Sequence, residues 1–180
     1  MPIFVAMTRG INVGGQKIIR MENLRASFEA LGFRRVRSYV QSGNVIFEAA
    51  KAFPNGLSKL IGDKILSDCG ISVPVVLRTA DEIKKIVSGN PFLNQKGIDR
   101  SKLHVTFLSG SPTKAALGKL AALNSRSDQF RLRGREVYLH CPDGYGRTKL
   151  SNTAFEKLLS VDATTRNWRT VNKLVKMSSE

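Results

Sequence analysis

The sequence predicts an α+β fold made of two similar halves, each running βαββαβ. Three observations carry this reading. Apolar residues recur at strand and helix spacing in turn along the 180 residues. Glycine-centred turns separate a pair of short strands in each half. A pattern near the start also returns one hundred residues later, where Ile3, Val5, Met7 and Gly10 align with Leu103, Val105, Phe107 and Gly110.

Ile3–Met7 reads as the first strand. Met21, Leu24, Phe28 and Leu31 recur every three or four residues and mark a helix, with Gly32 as its C′ residue. Residues 35–40 and 44–48 make a hairpin around Ser42-Gly43. Leu57, Leu60, Ile61, Ile65 and Cys69 form one face of a second helix that stops at Gly70, and Val73–Arg78 is the fourth strand. Thr79-x-x-Glu82 is a capping box for a helix through Ile83, Ile86 and Val87. Asn90-Pro91 ends that stretch, because the residue before proline disfavours helix.

The order then repeats. Leu103–Leu108 is a strand, Ser111-Pro112 opens a helix with Leu117, Leu120 and Ala121 inward, and 128–133 with 136–140 form a hairpin around Gly134. Thr153-x-x-Glu156 caps a helix containing Phe155, Leu158 and Leu159. Asp162–Arg166 is the weak eighth strand, and the last helix carries Val171, Leu174 and Val175 at the offsets from Arg166 that Ile83, Ile86 and Val87 keep from Arg78. A βαββαβ unit is the split βαβ, or ferredoxin-like, arrangement. The expected organisation is a ferredoxin-like half at 1–79, a helix and connecting loop at 80–98, and a second, duplicated half with a C-terminal helix at 99–180.

Composition narrows the class. Hydrophobic residues make 42% and charged residues 24% of the chain, as in ordinary globular proteins. No apolar run approaches the roughly 20 residues that span a bilayer, so no membrane partner is expected. The start Met-Pro-Ile-Phe-Val lacks the basic segment of a signal peptide, and Cys69 and Cys141 form no CxxC pair, which together suit a cytoplasmic setting. The net charge of +15 is the outlier. It is spread over both halves and would attract polyanions generally. Nucleic-acid binding through the basic surface is therefore the alternative to the reading developed next.

Thr8-Arg-Gly-Ile-Asn-Val-Gly-Gly-Gln-Lys17 follows the first strand. Arg9 and Lys17 supply positive charge, and Gly10, Gly14 and Gly15 let backbone amides approach a ligand. The βαββαβ order puts this loop at the same end of the sheet as Gln41-Ser42-Gly43-Asn44. The expected site is thus Arg9, Asn12, Gly14, Gly15, Lys17, Ser42 and Asn44, with an anionic small molecule, phosphorylated or carboxylated, as partner. The glycine spacing fits neither GxGxxG nor a Walker A loop. A structural reading stands beside it: the glycines shape a long connection and Asn44 takes a positive φ in a tight turn. Asp143-Gly-Tyr-Gly-Arg-Thr-Lys149 is a second glycine-rich basic loop, read as a surface connection.

Arg166 and Arg169 are expected in the first turn of the last helix, where the dipole disfavours cations. Arg166, Asn167 and Trp168 are therefore a second candidate site or a structural cluster. His104 and His140 lie inside strands, no paired-cysteine or HExxH spacing occurs, and neither a metal nor a cofactor is expected. Arg131 and Arg133, alternating with Phe130 and Leu132, read as edge protection. An RNA-recognition sheet is disfavoured, because the first and fourth strands are apolar on both faces and Ser42-Gly-Asn-Val-Ile-Phe-Glu48 lacks the basic and aromatic pattern of that module's third strand.

Four motifs occur in order: Arg9-Gly-Ile-Asn-Val-Gly-Gly15, Tyr39-Val-Gln-Ser-Gly-Asn-Val-Ile-Phe47, Asn90-Pro-Phe92, and Thr165-Arg-Asn-Trp168 with Thr170-Val171. With these the chain resembles the bacterial domain-of-unknown-function family 1697 over nearly its whole length. The resemblance implies a small cytoplasmic protein of two similar α/β halves with no established activity to transfer. Thr148 stands where serine is common in the family.

Overall fold

The computed structural model describes residues 1–50, 56–123 and 127–180. These contain eight strands in two four-stranded antiparallel sheets, and six α-helices. The first sheet takes β1 (Ile3–Thr8), β2 (Arg34–Tyr39), β3 (Asn44–Glu48) and β4 (Val75–Thr79) in the order β2-β3-β1-β4. The second takes β5 (Leu103–Leu108), β6 (Gln129–Arg133), β7 (Glu136–His140) and β8 (Ala163–Asn167) in the order β6-β7-β5-β8. In each sheet the third strand lies between the first and second, so chain segments distant in sequence become neighbours at the strand ends.

Helices α1 (Met21–Ala30) and α2 (Leu57–Cys69) cover one face of the first sheet. Leu24, Phe28, Ile61 and Ile65 of these helices meet Ala6, Val45 and Phe47 of the strands, and all are buried. Phe47 anchors this core, with ring centroids 5.1 Å from Phe28 and 4.7 Å from Phe33. Alternation in a strand sends neighbouring residues to opposite faces. Val5, Met7, Ile46, Val76 and Arg78, on the opposite face, are buried as well. In the second sheet, Leu108, Val137, Leu139 and Ala163 pack with Phe155 and Leu159 of α5 (Asn152–Leu159).

The two sheets agree in detail. Val5 pairs with Arg78, and Val105 with Arg166. Both arginines are buried, and each donates from Nη1 to the carbonyl of the residue before it. Phe4 pairs with Thr79 and His104 with Asn167, and both of these strand-ending residues cap the helix that follows. Thr79 and Glu82 form the expected capping box at the start of α3 (Ala80–Ser88). Asn167 Oδ1 accepts from Thr170 N at 2.8 Å at the start of α6 (Trp168–Ser178).

The chain divides into two compact units, Met1–Lys84 with Leu174–Glu180, and Lys85–Lys173. Side-chain chemistry ties the outlying segments into each unit. In the first unit, Arg37 binds the Met177 carbonyl and the Glu180 carboxylate, and Arg35 reaches the Glu180 carbonyl at 2.7 Å. In the second, Tyr138 Oη donates to the Ile86 carbonyl at 2.9 Å and Arg133 to that of Gly89 at 3.0 Å. Arg131 lies 5.5 Å from the centre of the Phe92 ring. The arginines of edge strand β6 thus make specific contacts besides charging an edge.

Three local expectations are corrected. Arg166 lies in β8 and not in a helix: pairing with β5 continues through Asn167, and the β-branched Thr164 and Thr165 suit a strand. Helix α5 begins two residues early, because the Ser151 hydroxyl accepts from Ala154 N before Thr153 can act as a cap. The helix after Pro112 is a short α4 (Lys114–Leu117), capped by Thr113, that tightens into a 3-10 turn over Gly118–Ala122.

Among the described glycines Gly43, in the β2–β3 turn, has the least room for a side chain. Its φ is +80°, and an added Cβ would sit 1.9 Å from Thr8 Oγ1 and 2.7 Å from Ile11 Cδ1. Gly14 also has positive φ (+60°) but faces open space. Gly43→Ala should therefore destabilise by about 2–4 kcal/mol and Gly14→Ala by only about 1 kcal/mol, a ranking that urea denaturation will check.

Candidate functional site

The expected site lies at the end of the first sheet where β1 stops. Thr8 closes the strand against the β2–β3 turn: its N–H donates to Gly43 O at 2.9 Å, and its hydroxyl lies 3.1 and 3.2 Å from the Ser42 and Gly43 carbonyls. Arg9 N donates to Pro74 O at 3.0 Å, which ties the loop to the start of β4. Ile11 and Ile19 are buried and hold the two ends of the loop to the core.

Asn12 organises what lies between. Its Oδ1 accepts from Ile19 N at 2.9 Å, while its Nδ2 lies 2.9 Å from Ile19 O and 2.8 Å from Gln41 O. Its backbone N–H donates to Lys17 O at 3.1 Å. One side chain therefore joins the glycine-rich loop to the β2–β3 turn, and the two motifs are neighbours. Val13 to Gln16 form a tight turn closed by Gln16 N to Val13 O at 3.1 Å, with Gly14 and Gly15 at φ +60° and +73°. Two successive positive φ values are those of a type I′ turn, for which Gly-Gly is suited.

The candidate residues consequently split into two groups. Asn12 and Asn44 build the scaffold. Asn44 is fully buried and donates to Tyr39 O at 2.9 Å and Ser42 Oγ at 3.1 Å. The positive φ expected of Asn44 belongs instead to Val40 (+52°) and Gly43 (+80°). Gly14, Gly15 and Lys17 stand exposed, with Arg9 and Ser42 half-buried. Lys17 Nζ reaches Ser72 O at 3.2 Å.

Strain concentrates here, and the charge on these segments is of one sign. Among the described residues five non-glycine positions have positive φ, and Asn12, Lys17 and Val40 are three of them. A β-branched residue in this region is a genuine outlier, costing roughly 1–2 kcal/mol. The three segments that meet here, 8–20, 39–44 and 70–74, contain Arg9, Lys17 and Arg20 and no carboxylate.

A groove of about 830 Å³ begins at Ile18–Arg20 and runs between α1 and α2, lined also by Asn23, Ser27, Lys64 and Asp68. Asp68 accepts from Ser27 Oγ at 2.7 Å and Lys64 Nζ at 2.9 Å. These bonds, Ser27 first, hold its carboxyl below the ordinary range. The groove was not legible in the sequence: it exists because Ala26 and Ala30, also in its lining, leave room between the helices.

The second cluster belongs to the other unit. Arg166 is buried, with Nη1 2.8 Å from Thr164 Oγ1 and 3.0 Å from Thr165 O, and burial pushes its pKa down to about 10 against an opposing effect of Tyr145. Asn167 serves as the helix cap and Trp168 is buried. The 143–149 loop folds into a 3-10 turn in which Tyr145 stacks on His104 at 4.9 Å. Among the described residues, no group of three or more His, Cys, Asp or Glu could hold a metal, and no helix is long and apolar enough to cross a membrane.

Fold and site together define an α+β protein of two four-stranded antiparallel sheets, with a built loop at one end of the first. Residues 1–138 match the family described as proteins of unknown function, DUF1697, and the chain belongs to that family. The Thr165–Val171 motif lies outside the matched range. Among solved structures the chain is similar to a conserved bacterial protein from Streptococcus pneumoniae, with 19% identity, a TM-score of 0.71 and 98% of each chain covered. At that identity the likeness shows the fold. Curated protein sequences gave no match.

Two checks follow. Asn12→Gly keeps the backbone freedom but strips Ile19 N–H of its acceptor and should cost about 1–3 kcal/mol, whereas Val40→Asn relieves strain and should gain about 1 kcal/mol; urea denaturation should give opposite signs. Cys141 is fully buried and its thiol is pushed up to about 11 by burial. Iodoacetamide at mildly alkaline pH should therefore modify Cys69 alone in the native protein and both thiols after unfolding, as mass spectrometry will show.

Proposed function

We propose that this protein binds a small phosphorylated or carboxylated molecule at the loop end of its first sheet. Arg9 and Lys17 supply the charge, Gly14, Gly15 and Ser42 the neutral donors, and Asn12 and Asn44 the frame. The observation that carries the reading is the Asn12 side chain, which joins two polar loops into one structure, and the loops so joined carry Arg9, Lys17 and Arg20 and no carboxylate of their own. Ordering backbone costs roughly 1–2 kcal/mol per residue. Holding an exposed loop in place with positive φ at Asn12, Lys17 and Val40 adds to that, and strain of this kind clusters at ligand clamps. The groove that starts at Ile18 offers the ligand a concave wall, and its size is that of a small-molecule site.

We further infer that the two sheets are copies of one ferredoxin-like βαββαβ unit. Their common strand order, the paired Val5–Arg78 and Val105–Arg166 positions and the equivalent caps at Thr79 and Asn167 support this. The loop after β5 carries no counterpart of Asn12, so the binding function belongs to the first copy.

The test is a thermal-shift panel of nucleotides, sugar phosphates, small carboxylates and short RNA at two salt concentrations. A ligand at one hundred times its dissociation constant should stabilise by about 2.7 kcal/mol, or roughly 5–10 °C. A small molecule should give a shift that persists with salt and is abolished by Lys17→Gln. Silence from every small molecule, with an RNA shift that collapses as salt rises, would replace this reading with general polyanion binding through the +15 surface.

A further inference from the structure

Among the described residues six large hydrophobic side chains are exposed, and Val13 (64%), Ile18 (68%) and Val40 (46%) are three of them. All three belong to the loops that Asn12 joins. Val13 follows Asn12 directly, Ile18 lies between the two residues whose backbones Asn12 binds, and Val40 precedes its partner Gln41. Their exposure is enforced. Neighbouring Ile11 and Ile19 are buried, and Val40 keeps positive φ where a glycine or asparagine would fit without strain.

Aliphatic tips held out of a folded core, on loops that carry Arg9, Lys17 and Arg20 and no carboxylate, with Glu22 of α1 3.7 Å from Arg20 in an exposed pair, match one kind of surface: apolar just beneath a layer of negative charge. We propose that this end of the first unit docks on an anionic lipid surface, with Val13, Ile18 and Val40 entering the boundary between headgroups and acyl chains while Lys17 and Arg20 meet lipid phosphates. The inference rests on the anion-binding reading for the sign of charge at this end, and adds where the anion is presented. The sequence-based expectation of no membrane partner concerned a spanning segment. Lying on a surface requires only a small apolar tip and adjacent cations, the two signals that reversible anchoring uses. A solvated basic surface would account for the cations but not for the three aliphatic side chains among them.

Co-sedimentation of the full chain with vesicles of phosphatidylglycerol and of phosphatidylcholine tests the proposal. Binding is expected to phosphatidylglycerol and not to phosphatidylcholine. The double substitution Val13→Ser with Ile18→Ser should weaken it about tenfold or more. Leu66→Ser, which removes an exposed aliphatic residue elsewhere on the unit, should leave it unchanged. Because the altered side chains are exposed, the melting temperature reports that each variant folds. Ile18→Trp should retain binding, with fluorescence quenched by bromine-labelled acyl chains. Lack of binding to phosphatidylglycerol overturns the proposal, as does equal binding by the double-serine variant, which would assign the attraction to net charge alone. Neither result touches the small-molecule shift, which is read on the unaltered chain and on Lys17→Gln without vesicles, so the two readings fail separately.

Discussion

Where β1 ends, Gly43 and Thr8 come so close that no side chain fits between them. That approach sets much of what lies around it. It fixes the last pair of the β1–β3 ladder, Met7 with Asn44, and brings the β2–β3 turn over the strand end. Asn44 is then buried, and its amide is spent holding the turn in shape. With the turn placed, Gln41 O lies where Asn12 can reach it, and the glycine-rich loop acquires a second anchor besides its own apolar ends. The arrangement of the two loops is thus a consequence of strand pairing, and their polar side chains serve mainly to transmit that pairing to the exposed residues.

Burial on both faces is the second constraint. A sheet covered on one face would alternate apolar and polar residues, yet β1 is apolar without a break from Ile3 to Met7 and β3 from Val45 to Phe47. The cost appears in Arg78 and Arg166, each a large cation removed from water at the same place in its sheet. Each places one guanidinium nitrogen on its neighbour's carbonyl, so part of the hydrogen bonding that a buried charge requires comes from the strand that carries it.

Much of this was legible in the sequence because it follows from local rules. Strand and helix periods located the elements, and the capping box at Thr79-x-x-Glu82 placed α3. The adjacency of the two loops followed from strand order alone. What escaped depended on tertiary partners. The extent of the eighth strand is one case: Ala163-Thr-Thr-Arg-Asn167 has little apolar pattern, was only weakly legible as a strand, and continues through Arg166 to Asn167 because β5 is there to pair with it. Asn44 looked like a donor facing a ligand, and its burial is decided by Thr8 and Gly43. Ile11, Val13, Ile18 and Ile19 are indistinguishable as residue types, and the bonds of Asn12 determine which two of them are exposed.

The assignment of Leu174–Glu180 to the first compact unit also has a temporal side. On the ribosome, residues 1–84 emerge well before the segment that completes their unit, because the 89 residues of Lys85–Lys173 are made in between. At common elongation speeds that interval is roughly 5–20 s. Throughout it Arg35, which keeps its ion pair with Glu48, and Arg37, on the edge strand of a newly formed sheet, lack the Met177 and Glu180 groups they bind in the finished molecule. Like charges along an exposed strand discourage pairing with another nascent chain. The arginines that later hold the end of α6 are therefore suited to guard the same edge before that helix exists.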